Sequence, residues 1–319
     1  MDIELLIQHG EMLFQPLVED GITWTTERKG TPGVLKFAVL KDEAIDFTEG
    51  DPVRLRVDGK KVFYGFVFTK KRGKDGKIQV TAYDQLRYFK NKDTYVFEGV
   101  TASEIVRRIA ADFRLQVGTL TETRYRIPSL VESDSTLFDI VQNALDLELR
   151  QTGELYVLYD DFGSLTLRRM EELALDLLID AGSAASISYQ SSIDSNTYNQ
   201  IKLTRNNEDT GYRDVWMARS SDSINQWGLL QYTEELQNGE DGADKANALL
   251  RLYGQKSRTL SVSDTYGDAR CRAGSLVAVR MDLGDLVTSN YMLVEKATHT
   301  IRQGAYTMNL TLRGGMIHG

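Results

Sequence analysis

Several ingredients of familiar functional sites are scarce in this sequence of 319 residues. A single cysteine, Cys271, excludes a disulfide bond within the chain. No stretch approaches the length of a membrane-spanning apolar helix, and the first residues lack the basic segment and cleavage site of a signal peptide. We therefore expect no membrane insertion. The formal net charge of -8 disfavours specific nucleic-acid binding, which would need a basic face.

Residue types that build catalytic and metal sites are also scarce. The only histidines are His9, His299 and His318, and no His-x-x-His or Cys-x-x-Cys pair exists, which disfavours a zinc site. We interpret His299, which lies between two threonines of a predicted strand, as a surface or satisfied core residue, and His318 as part of a mobile tail. Cys271 lacks a nearby activating environment for a nucleophile. We assign no catalytic, cofactor-binding or metal-binding residues and expect no cofactor.

Paired carboxylates leave one enzymatic alternative open, because a glycosidase needs only two acids. Asp160-Asp161 is typical of a hairpin turn. Glu171-Glu172 fits a helix start, where acids interact favourably with the helix dipole. The loop containing Glu240-Asp241 lacks the alternating acids of a calcium loop, so it indicates a helix start or a solvated loop.

One basic cluster, Lys70 to Lys77, could contact nucleic acid. It has no interleaved aromatic residues on which bases could stack. We interpret it as a charged hairpin tip that keeps a strand edge soluble or pairs with an acidic partner.

The hydrophobic pattern changes along the chain from strands to helices and back. The first hundred residues alternate with a period of two, as in a β-meander. The middle contains a capping-box pattern, Thr101 to Glu104, before an apolar helix face, and a second helix from about Leu137 to Leu149. The last part predicts strands again, with a helix near Ala243 to Tyr253. We predict a mainly β fold with an α+β insertion, divided into residues 1–95, 96–180 and 181–319.

The end of the sequence resembles its beginning. Leu35 lies 15 positions before Gly50, and Leu260 lies 14 positions before Gly274. The matched segments are Gly50–Val57 with Gly274–Met281, Val62–Val67 with Tyr291–Lys296, and Ile78, Val80 and Ala82 with Tyr306, Met308 and Leu310. Convergence of two antiparallel meanders stays an alternative to duplication. With duplication, three copies of the chain would present six similar modules in a ring.

Five segments combine a characteristic order and spacing, namely Phe63–Val67, Val80–Lys92, Thr101–Val106, Asp134–Ile140 and Asn199–Leu203. Their order and spacing resemble those of the XkdQ and YqbQ proteins of PBSX-like prophages, within the wider group of phage late-control and baseplate-hub proteins. The likeness covers nearly the whole chain, although no single motif is chemically specific.

The resemblance implies two tail-tube-like β-barrel domains that flank a small central α+β domain. It implies a non-enzymatic hub of a contractile phage tail or tail-derived bacteriocin, which adapts the hexameric tail tube to the trimeric central spike. The expected partners are the chain itself as a homotrimer, the tail tube protein, the spike, other baseplate proteins and, as a further candidate, a LysM-containing tail protein. The expected location is the baseplate of a particle assembled in the bacterial cytoplasm.

Two other functions stay open at this point. One is a peptidoglycan hydrolase acting at the tail tip, because some members of the wider group carry a fused hydrolase domain. We expect no such appendage here, since the sequence ends directly after the second predicted barrel. The other is a carbohydrate-binding module, because all-β proteins with exposed aromatic residues bind sugars.

Overall fold

A computed structural model describes residues 1–19, 21–40, 45–74, 76–194, 196–207, 211–236, 241–284 and 287–314. The chain divides into a first unit, Met1–Ser188 with Ser261–Leu312, and a second unit, Tyr189–Leu260 with Arg313–Gly319. Strands predominate and few helices occur, so the mainly β prediction is confirmed. Within the described ranges, no helix is long and apolar enough to cross a membrane.

The N-terminal part of the first unit is an antiparallel set of strands in the order β3-β4-β7-β6-β5-β1-β2. In β5, Val53 and Leu55 are buried while Arg54 and Arg56 are partly exposed, which confirms the predicted period of two. A short 3-10 helix, Gln85–Lys90, follows the last strand. The strands are β1 (Ile3–His9), β2 (Met12–Phe14), β3 (Ile22–Glu27), β4 (Val34–Leu40), β5 (Pro52–Val57), β6 (Lys60–Arg72) and β7 (Lys77–Tyr83).

The α+β insertion belongs to the same unit. The predicted capping box is confirmed, because Glu104 N donates to Thr101 Oγ1 at 3.3 Å and Thr101 N donates to Glu104 Oε2 at 2.8 Å. The second helix ends at Gly153, which has a left-handed φ of 76°. The elements are β8 (Lys92–Val100), α1 (Ala102–Asp112), β9 (Val117–Leu120), β10 (Ile127–Thr136), α2 (Leu137–Thr152), β11 (Tyr156–Asp160), β12 (Leu165–Arg169), a 3-10 helix (Met170–Leu173) and β13 (Ala174–Asp180).

The remaining elements complete both units. In the second unit, β15 lies between β16 and β17, and α4 packs on this sheet through Ala246 and Leu249. Asp241 Oδ1 accepts from Ala243 N at 2.9 Å and Asp244 N at 3.0 Å, so the acidic loop begins a helix. Glu240 lies outside the described residues. The elements are β14 (Ser186–Ser192), β15 (Gln200–Asn206), β16 (Arg213–Arg219), α3 (Ser221–Trp227), β17 (Gln231–Glu235), α4 (Gly242–Tyr253), β18 (Ser257–Tyr266), β19 (Leu276–Asp282), β20 (Val287–Arg302) and β21 (Ala305–Gly314).

One long strand, β20, pairs with strands from both the C-terminal and the N-terminal part of the sequence. Its first half pairs with β19, where Met292 lies opposite Val277. Its second half pairs with β3, where His299 lies opposite Trp24. The N-terminal and C-terminal strand sets therefore share one sheet within the first unit.

The two strand sets repeat the same turn. Gly50 has a φ of 94° and donates to Val67 O at 2.8 Å, and Gly274 has a φ of 95° and donates to Val294 O at 2.8 Å. In both places the residue after the glycine accepts in return, at 2.9 Å from Val67 N and 2.9 Å from Val294 N. The match of Gly50 with Gly274 is thus reproduced in backbone geometry.

The structure corrects the alignment of the strand that follows this turn. The hydrogen bonds make Val67 equivalent to Val294, whereas the sequence comparison paired Val67 with Lys296. The segment is therefore aligned two residues too far along β20. Because side chains alternate with a period of two, this shift keeps every residue on the same face, and the hydrophobic pattern cannot detect it.

The two equivalent glycines generate a paired prediction on stability. A Cβ on Gly50 would meet nothing within 4 Å, whereas a Cβ on Gly274 would lie 2.5 Å from Val157 Cγ1. Gly50→Ala should cost only the left-handed backbone strain, about 1–2 kcal/mol. Gly274→Ala should cost about 1–3 kcal/mol more, because it also overpacks the core. Urea unfolding of both variants measures the difference, and equal losses would contradict the packing argument.

Candidate functional site

His299 is a satisfied core residue, as one of the two sequence interpretations proposed. Its ring stacks on Trp24 with centroids 4.6 Å apart. Its Nε2 lies 2.8 Å from Cys271 O, and its Nδ1 lies 2.9 Å from the Tyr306 hydroxyl. Burial lowers the pKa of His299 to about 4, so the neutral ring donates from Nε2 to the carbonyl and accepts from the hydroxyl.

The thiol of Cys271 is poorly suited to act as a nucleophile. The residue is buried, and the contact with His299 is made by the Cys271 carbonyl. Burial raises the pKa of the thiol to about 12, which keeps it protonated near neutral pH. Of the other histidines, His9 lies 2.8 Å from Asp51 Oδ2, and His318 lies outside the described residues.

The acidic pairs occupy the structural positions that the sequence predicted. Asp160 closes the ladder of β11 with β12, and Asp161 N donates to Ser164 O at 2.8 Å across the turn. Glu171 and Glu172 lie in the 3-10 helix, where Glu172 forms an ion pair with Arg168 at 3.3 Å. These contacts describe a hairpin turn and a helix start, as expected.

A buried charge cluster, formed by Asp84, Asp160 and Arg272, was missed by the sequence analysis. Asp84 caps the 3-10 helix, because its carboxylate accepts from Gly33 N at 2.9 Å and Leu86 N at 3.0 Å. The three residues of the cluster come from different segments. Asp84 directly follows β7, Asp160 ends β11, and Arg272 lies in the segment before β19. No local pattern connects positions so far apart in sequence.

Arg272 holds this cluster together from one side. Its Nη2 donates to the Asp160 carbonyl at 2.8 Å, and its guanidinium lies 4.0 Å from the centre of the Tyr159 ring. The Asp160 carboxylate accepts from Gly163 N at 2.7 Å. The cation therefore contacts the insertion beside the two buried acids.

Burial dominates the electrostatics of the cluster. It raises the pKa of Asp84 well above its usual range, and the nearby Asp160 raises it further. Burial also raises the pKa of Asp160 and lowers that of Arg272, which its acidic neighbours partly oppose. Both carboxyls are at most 5% exposed. The arrangement ties three segments together and offers little access to a substrate.

The basic cluster, Lys70 to Lys77, is held in part by contacts with the rest of the first unit. Lys70 donates to Phe47 O and its Nζ lies 4.6 Å from the centre of the Phe47 ring, a cation–π contact. The remaining cations toward the tip are exposed, namely Lys71, Arg72 and Lys74.

No group of three His, Cys, Asp or Glu residues in the described part of the chain could hold a metal ion.

Exposed apolar side chains occur on two sheet surfaces and favour contacts with other proteins. Val96 of β8 and Val131 of β10 lie opposite each other and are 63% and 65% exposed. In the second unit, Val215 and Met217 project from the same face of β16 and are 47% and 53% exposed. Apolar clusters that solvent reaches commonly mark interaction surfaces.

Sequence comparisons identify relatives of this chain. The YqbQ-like family model matches residues 22–313. Two Bacillus subtilis proteins, the uncharacterized protein YqbQ and the phage-like element PBSX protein XkdQ, are each 36% identical over 225 residues. The alignment covers 68% of this chain and 68% of each relative.

Solved structures share the fold at low sequence identity. The prophage MuSo2 43 kDa tail protein of Shewanella oneidensis is 13% identical with a TM-score of 0.68, covering 97% of this chain and 98% of that one. A tail protein of Neisseria meningitidis is 11% identical with a TM-score of 0.69, covering 98% and 97%. The E. coli c3393 protein, a type VI secretion component, is 11% identical with a TM-score of 0.58, covering 97% and 76%. The fold expected from the resemblance is confirmed.

The role of Arg272 can be measured by substitution. Arg272→Ala should lower the free energy of unfolding by about 3–5 kcal/mol, because it leaves Asp84 and Asp160 without their cation. Arg270→Ala is the matched control, since Arg270 is exposed and pairs with Asp176 and Asp268 at the surface. Chemical denaturation of both variants should show a clearly smaller loss for the control. Equal losses would contradict the role of the cluster.

The raised pKa of Asp84 predicts a pH dependence of stability. A carboxyl whose pKa is higher in the folded state contributes stability that is present below its unfolded-state pKa, about 4, and is lost as the pH rises through the folded-state value. Between pH 4 and pH 8, wild-type stability should therefore fall relative to that of Asp84→Asn. Urea titrations across this range test it, with Asp93→Asn on the surface as control. Parallel profiles for wild type and Asp84→Asn would refute the shift.

Proposed function

Because the chain belongs to the YqbQ-like family, we propose that it is a structural baseplate hub protein of a phage-type contractile tail. In this proposal a homotrimer adapts the hexameric tail tube to the trimeric central spike, in a phage or a tail-derived bacteriocin. Its partners are further copies of itself, the tube protein, the spike, other baseplate proteins and a LysM-containing tail protein. The protein acts as a virion component and not as an enzyme.

The observation that carries the proposal is the repeated turn at Gly50 and Gly274. Each turn precedes a short strand and a long strand in the same arrangement, so one chain holds two similar strand sets. Three chains would present six such sets, which is what a sixfold tube requires of a threefold partner. We assign residues 1–95 and 181–319 to the two tube-like domains and 96–180 to the insertion.

An adapter must hold its two strand sets at a fixed angle. The pairing of β3 with β20, which we call the joint, fixes this angle in our proposal. Arg28 binds Glu295 through two hydrogen bonds, Nε to Oε2 at 2.8 Å and Nη2 to Oε1 at 2.9 Å. The Arg28 side chain is only 7% exposed, so solvent screens this pair weakly. Thr25 and Thr298 add a hydroxyl contact at 3.3 Å. A rigid joint favours one ring curvature.

The names of similar proteins support the same role. XkdQ is named as a protein of a phage-like element, and two of the similar structures are named as phage tail proteins. The third is described as similar to T4 bacteriophage tail proteins gp27 and gp5. A phage-derived or phage-tail-like particle is the setting that these names share, and it is the setting of the proposed hub.

Light scattering after size exclusion tests the trimer. The expected mass is three times the chain mass of 36.0 kDa. The trimer should persist in high salt, because paired β-edges and apolar contacts are less sensitive to screening than surface ion pairs. A monomer at every concentration, together with lysis of cell walls on a zymogram that a single Asp or Glu substitution abolishes without unfolding the protein, would replace the hub proposal with the hydrolase alternative.

A further inference from the structure

The strand β14 is the counterpart of β3 in the second strand set. Strand β3 pairs with β4, the strand that precedes the Gly50 turn. Strand β14 pairs with β18, the strand that precedes the Gly274 turn, and Ala185 N donates to Ser263 O at 3.0 Å at the start of this ladder. The two strands therefore occupy equivalent places in the repeat.

The long strands β6 and β20 are counterparts as well. The first half of each pairs with the short strand after the glycine turn. Beyond Val294, the same edge of β20 is covered by β3, from Lys296 to Ile301. Beyond Val67, the equivalent edge of β6 is Thr69–Arg72, which we call the β6 overhang. No strand lies beside it among the residues that the structure describes.

Each chain thus contains one completed joint, β3 with β20, and the two halves of a second one. The outer edge of β14 also has no neighbouring strand in the described residues. We propose that β14 of one copy pairs antiparallel with the β6 overhang of the next copy, head to tail. This inference rests on the proposed function, because closure after three copies comes from the trimer. It identifies a second copy of the chain as the occupant of both edges.

The chemistry of the two edges agrees with this pairing. Free edge strands of natural proteins usually carry charges or proline that prevent association. Strand β14, Ser-Ile-Ser-Tyr-Gln-Ser-Ser, has neither, and Ile187 is 39% exposed. The β6 overhang carries Lys70, Lys71 and Arg72, so two overhangs would repel each other. A neutral strand is the better partner, and head-to-tail pairing of unlike edges closes into a ring where the rotation between neighbouring copies is about 120°.

The completed joint also gives the register of the second one. In it, Glu27 lies opposite Lys296, two residues beyond Val294. The position two residues beyond Val67 is Thr69. The first residue of β14, Ser186, follows Ala185, which begins the ladder with β18, and we align it with Ile22, the first residue of β3. Five positions further along each strand, Ser191 corresponds to Glu27.

Ser191 of one copy should therefore lie opposite Thr69 of the next. Two residues along the same strands, Tyr189 should lie opposite Lys71. All four positions are in strands, and Thr69, Lys71 and Ser191 are exposed in the single chain.

Disulfide cross-linking between copies tests this joint. The double variant Thr69→Cys/Ser191→Cys should oxidise to a covalent trimer on non-reducing electrophoresis, because opposed residues bring their Cα atoms within the roughly 4.4–6.8 Å that a disulfide needs. Lys71→Cys/Tyr189→Cys is a second pair for the same joint. Each single variant should stay uncross-linked, since a head-to-tail joint never brings two copies of one position together. Cys271 is buried and can stay in place.

The controls separate this joint from the trimer itself. Thr69→Cys/Ser133→Cys, with an exposed serine of β10, should give no covalent trimer. Trimeric mass without cross-linking of either designed pair would overturn the joint and leave the hub proposal standing. Covalent dimers of a single variant would show like edges pairing and would also overturn it. Monomeric mass without cross-linking would overturn the joint and the trimer together.

Discussion

The pairing of β20 with β3 is the constraint on which the rest of the first unit depends. It brings residues near the two ends of the chain into one sheet, and His299 stacks on Trp24 at this joint. The ring is buried there, and Ile301 and Ile22 close the same layer. Contacts this distant in sequence carry a large loop-closure entropy, so we expect the pairing of β20 with β3 to slow folding.

One hairpin of the α+β insertion, β11 with β12, packs against this sheet at two places. At its tip, Phe162 lies 5.8 Å from Tyr64 of β6, with Lys61 5.2 Å from the centre of the Phe162 ring. At its base, Val157 packs where Gly274 leaves room, and Arg272 reaches Asp160. One hairpin therefore contacts both strand sets. A hairpin that contacts both strand sets restricts their movement relative to each other, as the proposed adapter requires.

Local features of the fold could be predicted from the sequence because their causes are local. The capping box at Thr101, the second helix and the turn after Asp160 all follow from neighbouring residues. The predicted hairpin tip, Lys70 to Lys77, begins too early, because its first three residues belong to β6. Pairing with β7 carries β6 on to Arg72, since backbone hydrogen bonds do not depend on side-chain polarity.

The long-range features could not be predicted for a different reason. Asp84, Asp160 and Arg272 each look like ordinary turn or surface residues in sequence, and only the assembled sheet encloses them. The joint of β3 with β20 is equally invisible, because alternation predicts a strand but not its neighbour. The internal repeat was the distant signal that the sequence carried, and its two glycines, Gly50 and Gly274, both adopt a left-handed backbone.

The central claim is that duplicated strand sets in one chain let a trimer present sixfold geometry. Electron microscopy of the purified protein, viewed along the ring axis, tests it most directly. The account predicts a closed threefold particle whose inner wall shows six similar lobes, with β14 of each chain beside β6 of the next. A particle of any other symmetry, or a threefold particle whose chains meet only through the insertion, would contradict it.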